Sequence, residues 1–224
     1  MKPSLAQRGV AECLGTAFLL AGVVGSGIMA AKLSGGNGAL ALLCNTLQTG
    51  AILTVLILTF GPISGAHLNP AVSVVLALRR ELPASIAAMY IGAQVIGGIA
   101  GVWTAHLMFE LPLWQVSVTV RSDPGQWLAE AVATFGLLLT ILGTRSAFAV
   151  GLYITAAYWF TASTSFANPA VTIARALSDT YAEIAPAGVL AFIAAQIVGA
   201  LAAVALGRWF WPVQDSDPLQ RQFG

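Results

Sequence analysis

Ser64-Gly65-Ala66-His67-Leu68-Asn69-Pro70-Ala71-Val72 carries no formal charge, and its core returns 99 residues later as Asn168-Pro169-Ala170-Val171. Asparagine caps the free N–H groups of a helix start, and proline suits the first helical position because its missing N–H would have no partner there. Each copy therefore predicts a helix start inside apolar sequence. Asn69–Leu78 and Asn168–Leu177 give ten residues apiece, a half-helix of ~15 Å, and two placed end to end cover the ~30 Å hydrocarbon core.

The surrounding chain supplies that core. Of 224 residues 58% are hydrophobic and 8% charged, against roughly 25% charged in an average soluble protein. Uncharged runs at 33–78, 82–109, 146–174 and 184–207 exceed the ~20 residues that cross a bilayer. Six spans are predicted, at 8–31, 40–60, 84–108, 127–145, 148–162 and 185–208, with two shorter apolar inserts at Gly61–Leu78 and Ser163–Leu177. The first span resembles a signal peptide only superficially, being too long, containing Glu12 and preceding five more. Cys13 and Cys44 lack metal-ligand spacing and read as small buried hydrophobes. A net charge of +1 without a basic block argues against nucleic acid as a partner.

Beyond the Asn-Pro-Ala pair, Ala11-Glu12 with Thr16 recurs as Ala129-Glu130 with Thr134, and Ala93-Gln94 with Gly97 as Ala195-Gln196 with Gly199. One half is thus three spans plus an insert, so the second half enters the membrane from the opposite side, an inverted repeat. The chain reads as a single channel domain over 1–224: repeat one at 8–108, an external connection at 109–126, repeat two at 127–211 and a tail at 212–224. With both termini cytoplasmic, seven Lys and Arg near span ends lie inside (Lys2, Arg8, Arg79, Arg80, Arg145, Arg208, Arg221) and three outside (Lys32, Arg121, Arg175), as the positive-inside rule prefers. Trp103, Trp114, Trp127, Trp209, Phe210 and Trp211 fall near predicted span ends, as interfacial aromatics do, and His106 reads as interfacial too.

Irregular backbone at membrane depth must be buried in protein or line a watery cavity. A pore between the two loops satisfies both. The half-helix N-termini then meet at mid-membrane with ~0.5 e of partial positive charge each, which opposes cations and migrating protons while the Asn69 and Asn168 amides hydrogen-bond a neutral solute.

These paired motifs, from about Arg8 to Trp211, resemble the aquaporin and aquaglyceroporin (major intrinsic protein) family. The resemblance implies an all-α membrane protein of six tilted helices and two re-entrant half-helices, a homotetramer in the lipid bilayer, and one pore per protomer centred on Asn69, Pro70, Ala71, Asn168, Pro169 and Ala170. It further implies pore-lining carbonyls from Gly65, Ala66 and His67 and from Ser163 and Thr164 up to Ser165, with buried Glu12 and Glu130 supporting the loops. His67 has no second His, Cys or carboxylate beside it to make a metal site, and neither metal nor cofactor is expected. Gly97 and Gly199 read as close helix crossings.

Most members carry arginine directly after the second Asn-Pro-Ala, at the narrow outer constriction; this chain has Val171. The other constriction positions carry over to Thr49, Tyr158 and Ser165. This set resembles a bacterial subgroup associated with arsenic resistance, which implies a passive channel in the inner (plasma) membrane for arsenite, other metalloid hydroxides and methylated arsenicals. Water or glycerol is the alternative. Arg175, four residues after Val171, is a candidate for positive charge in the outer vestibule; the competing reading is an interfacial arginine that pairs with Asp179 or snorkels to headgroups. No nucleophile with a base, and no phosphate-binding glycine loop, occurs in the chain, so no enzyme is expected. An ion-coupled secondary transporter shares inverted repeats and broken helices, but would need a coupling site, and the only deep acids are Glu12 and Glu130.

Overall fold

The computed structural model describes residues 3–181 and 183–211, and every regular element among them is a helix. In chain order these are α1 (Leu5–Leu33), α2 (Gly38–Ser64), α3 (Pro70–Leu78), α4 (Ala84–Met108), α5 (Pro124–Thr144), α6 (Ala147–Phe160), α7 (Pro169–Arg175) and α8 (Pro186–Phe210). The expected tail at 212–224, with Arg221 in it, and Lys2 lie outside the described residues. Five helices are long and apolar enough to cross a membrane, while α6 has 14 residues, ~21 Å of rise.

Three boundaries differ from the sequence reading. The Gly61-Pro62 pair does not end α2: proline near the last turn removes one N–H bond, yet the helix runs to Ser64, where Gly65 N–H donates to Gly61 O (3.0 Å) and a φ of 90° turns the chain. The irregular run before Asn69 is correspondingly shorter than 61–68. The half-helices have nine and seven residues rather than ten, together ~24 Å. α7 stops early because the chain leaves the helix at Ala176, whose carbonyl accepts from Ser117 N–H in the external connection (3.1 Å).

Packing repeats between the halves. α1 lies along α4 and α2, α5 along α8 and α6, α2 meets α6, and each half-helix touches both α4 and α8. A Cβ on Gly97 would run into the Cys13 carbonyl, and one on Gly199 into the Ala131 carbonyl, so both halves use the same glycine crossing. Where α2 meets α6, a Cβ on Gly50 would lie 2.8 Å from Gly151 O and one on Gly151 2.6 Å from Gly50 O. Backbone contact this close is how helices associate without a hydrophobic drive between them. Large apolar side chains such as Ile96, Leu152, Leu190 and Val198 are left on the outer surface, where lipid solvates them. Cys44 joins them, exposed on α2 rather than buried, and Cys13 is half-buried, because α2 turns that face away from its neighbours. His106 is not interfacial: it is fully buried, with Nδ1 against Leu113 O (3.1 Å) and Nε2 against Ser178 Oγ (2.9 Å), so it ties the external connection to the segment after α7.

Candidate functional site

Two buried carboxylates organise the loops. Glu12 Oε1 accepts from Ser64 Oγ (2.6 Å) and His67 N–H (2.9 Å), and Oε2 from Leu68 N–H (2.7 Å) and Gln94 Nε2 (2.7 Å). Glu130 accepts from Phe166 N–H (2.8 Å), Ala167 N–H (2.9 Å) and Gln196 Nε2 (2.6 Å). Gln94 and Gln196 also reach Ser73 Oγ (3.1 Å) and Thr172 Oγ1 (2.8 Å) on the half-helices. Both glutamates are fully buried, and full hydrogen bonding is what allows a charge to sit there. The sequence marked the two glutamines only as a repeated Ala-Gln; their role as carboxylate partners is visible once the helices cross.

Tied this way, each loop adopts an unusual backbone. Gly65, Ala66 and Leu68 have φ of 90°, 46° and 50°, and Thr164, Ser165 and Ala167 have φ of 61°, 51° and 46°. Left-handed conformation costs an L-residue energy, and it is held here by the carboxylate bonds.

The two asparagines close the centre. Asn69 Oδ1 accepts from Ala71 N–H (2.9 Å), and Asn168 Oδ1 from Ala170 (3.0 Å) and Val171 (3.3 Å) N–H, so both act as caps, with Pro70 and Pro169 at the first helical positions. Asn69 Nδ2 also donates to Ala167 O and Asn168 Nδ2 to Leu68 O, each at 2.8 Å. The half-helix N-termini therefore abut, and one amide hydrogen per asparagine is used across the junction. Asn168→Ala is expected to lose ~0.5–2 kcal/mol of helix-start stability and to slow permeation several-fold; normal flux through well-folded variant, measured by vesicle light scattering, removes the donor role.

A cavity of about 410 Å³ runs past this junction. Its polar wall is Gly65–Asn69 and Ser165–Asn168, and its apolar wall includes Leu19, Val23, Leu53, Ile57, Leu137 and Ile154. Glu81 and Arg145, 3.6 Å apart, line the mouth on the face where α1 begins and α8 ends. At the opposite end Thr49, Tyr158, Ser165 and Val171 all line the cavity. Tyr158 Oη donates to Thr49 Oγ1 (3.3 Å), which donates to Asn45 O (2.8 Å), while Ser165 Oγ has no partner among the described residues. Ser163 and Thr164, expected among the residues whose carbonyls line the pore, lie outside the cavity lining. The second loop reaches the cavity two residues later, because Ser163 O is taken up by Arg121 Nη1 (3.1 Å).

Arg175 occupies neither place the sequence offered it. It is 2% exposed, its guanidinium carbon stands 3.5 Å from the Phe166 ring centroid, and Nε and Nη1 have no partner among the described residues. It does not line the cavity, and Asp179 Oδ1 accepts from Val118 N–H (3.2 Å) instead of pairing with it. Helix α7 is short and surrounded, so its last turn faces protein on the side where lipid was expected. Arg121, from the external connection, was not singled out in the sequence because no counterpart repeats. Burial pulls its pKa below the ordinary arginine value against the attraction of Glu130 and Glu183, and burial pushes the neighbouring Glu183 above the usual carboxylate range.

This geometry has relatives. Residues 1–147 match the family model described as Major intrinsic protein. The chain is 54% identical to the aquaglyceroporin AqpS of Rhizobium meliloti (strain 1021), over 97% of this chain and 95% of that protein. It is 37% identical to the probable aquaporin NIP4-2 of Arabidopsis thaliana over 63% of this chain and 50% of that one. The X-ray structure of the aquaglyceroporin from Plasmodium falciparum superposes with a TM-score of 0.74 at 23% identity, covering 93% of this chain and 98% of that chain. The abutting half-helices, the carboxylate-held loops and this match together place the chain in the major intrinsic protein family, as an integral membrane channel for small solutes and not an enzyme.

Proposed function

We propose that the channel passes small uncharged metalloid hydroxides, arsenous acid above all, and methylated arsenicals with them. The observation that supports this is the composition of the outer ring. Val171 stands where a guanidinium would add charge, Arg175 is withdrawn behind Phe166, and the Thr49 and Tyr158 hydroxyls hydrogen-bond each other. Ser165 Oγ is the one side-chain hydroxyl of the ring without a partner among the described residues. Such a ring favours a neutral solute that brings its own O–H donors to the loop carbonyls, and it exerts little penalty on a methyl group. Thr49, Tyr158, Ser165 and Val171 are accordingly assigned as the selectivity filter and Asn69 and Asn168 as the pore centre. Gly65, Ala66 and His67 are assigned as carbonyl suppliers and Glu12 and Glu130 as supports of the loops, while Arg175, outside the cavity lining, is given no part in the filter. Assembly as a homotetramer with both termini cytoplasmic, in a bacterial inner membrane, accords with the apolar outer faces and the charge bias.

Stopped-flow light scattering of proteoliposomes challenged in turn with water, glycerol and arsenite tests the reading, and arsenite flux no higher than in empty vesicles overturns it. Transport is expected without proton current, because opposed helix starts hold positive potential at the pore centre. A pH-sensitive dye trapped in the vesicles checks this, and a leak that scales with channel density would contradict it. Flux that requires an imposed ion gradient would point to a coupled transporter instead.

A further inference from the structure

Hydrogen bonds around the two loops repeat at a constant offset of 99 residues: His67 and Leu68 with Phe166 and Ala167, Ser73 with Thr172. A place where the repeat breaks is a place where the two ends of the pore are built differently. The first loop opens at Ser64, whose carbonyl accepts from Tyr90 Oη (2.7 Å), and Arg8 Nε donates to that same hydroxyl (2.7 Å). The equivalent carbonyl in the second half is Ser163. The residue matching Tyr90 is Phe192, without a hydroxyl, and the residue matching Arg8 is Gln126. Ser163 O would lack that partner in the second half, and it accepts from Arg121 Nη1 instead. The substitute comes from neither repeat but from the chain between them.

Arg121 does more than fill one position. Its Nε donates to Glu183 O (2.8 Å) while Nη1 donates to Ser163 O (3.1 Å), so one planar fork bridges the loop to the segment that leads into α8. The guanidinium carbon also lies 5.1 Å from the centroid of Phe166, the ring on which Arg175 rests. Residues Ser163 and Phe166 bracket Thr164 and Ser165, the left-handed pair that brings Ser165 to the cavity wall.

We propose that Arg121 is the positioning residue of the outer constriction: by holding Ser163 O and Glu183 O it fixes Ser165 opposite Val171 and so sets which solutes pass. The proposal rests on the reading of Thr49, Tyr158, Ser165 and Val171 as the constriction. In this account the external connection tunes a filter whose lining side chains come from the two repeats. The bridge depends on two donors in a rigid plane, which lysine, a single ammonium on a flexible stem, does not reproduce. A donor that carries charge makes a stronger bond than a neutral one, which is why the loop conformation depends on it.

The test reconstitutes purified Arg121→Met, Arg121→Lys and the double variant Arg121→Met/Phe192→Tyr, and reads the ratio of arsenite to water permeability beside thermal stability. Both single variants are expected to shift that ratio about tenfold, the discrimination one such interaction supports. The double variant, which restores to the second half the tyrosine of the first, is expected to recover part of it. A purely structural role would lower stability and active fraction while leaving the ratio of the surviving channels unchanged, and that result overturns the proposal. Should Arg121→Met not fold, Arg121→Lys decides, since an unchanged ratio there is equally fatal. Failure of the constriction reading itself looks different: Val171→Arg would then also leave the ratio unchanged, whereas an unmoved Arg121 series beside a responsive Val171→Arg rejects Arg121 alone.

Discussion

Val171→Arg channels are expected to fold and to conduct water, yet to pass arsenite at least about tenfold more slowly, the effect of a barrier raised by ~1.4 kcal/mol. Val171 lines the cavity beside Ser165 and Tyr158, at the first turn of α7, where its N–H is held by Asn168 Oδ1 (3.3 Å). The backbone is thus anchored, and a longer side chain has only the cavity to enter. A guanidinium there narrows the ring and offers fixed donors that suit water, while a trihydroxide must shed more of its hydration to squeeze past. Methylated arsenicals, which are bulkier, are expected to lose still more. Arg175, one turn further on, rests on the Phe166 ring outside the cavity lining, so a guanidinium that enters the cavity points away from it and folding survives. Val171→Met separates bulk from charge: if it blocks arsenite as fully as arginine does, size and not electrostatics sets the filter. A solute profile unchanged by Val171→Arg would mean that the constriction lies elsewhere.

Removal of the Glu12 carboxylate is expected to be the most destabilising single change in the protein. Glu12→Ala strands four buried donors, those of Ser64, His67, Leu68 and Gln94, at ~1–3 kcal/mol for each that finds no other partner. Glu12→Gln is expected to be nearly as damaging, because it replaces an acceptor oxygen by an NH2 group that must face donors. Glu130 accepts from three groups rather than four, so Glu130→Gln should cost less than its counterpart. Thermal denaturation followed by size-exclusion chromatography measures the order. Equal midpoints for Glu12→Gln and the unaltered protein would mean that the carboxylate is not what holds the loop.

Much of this was legible in residues alone, for a physical reason: lipid leaves backbone no partner but itself, so the places where helix breaks must carry their own solution in sequence. The Asn-Pro pair, the Ala-Glu starts and the glycines at crossings are such solutions, and each appears twice. What stayed hidden was whatever depended on three-dimensional convergence without repetition. The second span was expected to end at residue 60, yet α2 runs through Pro62 to Ser64 and Gly65 supplies the turn. His106, at a span end, looked interfacial, and only the folded connection shows it enclosed. Arg175 and Arg121 meet at one phenyl ring from segments 54 residues apart, and no local pattern announces such a meeting.

The reciprocal amide bonds at the centre, Asn69 to Ala167 and Asn168 to Leu68, also bear on how the molecule is made. The partner of Asn69 is 98 residues downstream, which at ~5–20 residues per second of synthesis is an interval of about 5–20 s. Throughout it, α3 waits in the membrane with its leading end facing nothing the chain has yet produced. Glu12 is already present and Gln94 follows 25 residues after Asn69 to hold the loop behind it, so the first half can mature into a docking face before its mate arrives. The second half has no such wait, because it emerges against a finished template. Errors of assembly should therefore concentrate in the first half, and a chain halted between residues 108 and 124, before α5, would leave a membrane-inserted half-channel whose pore has only one wall.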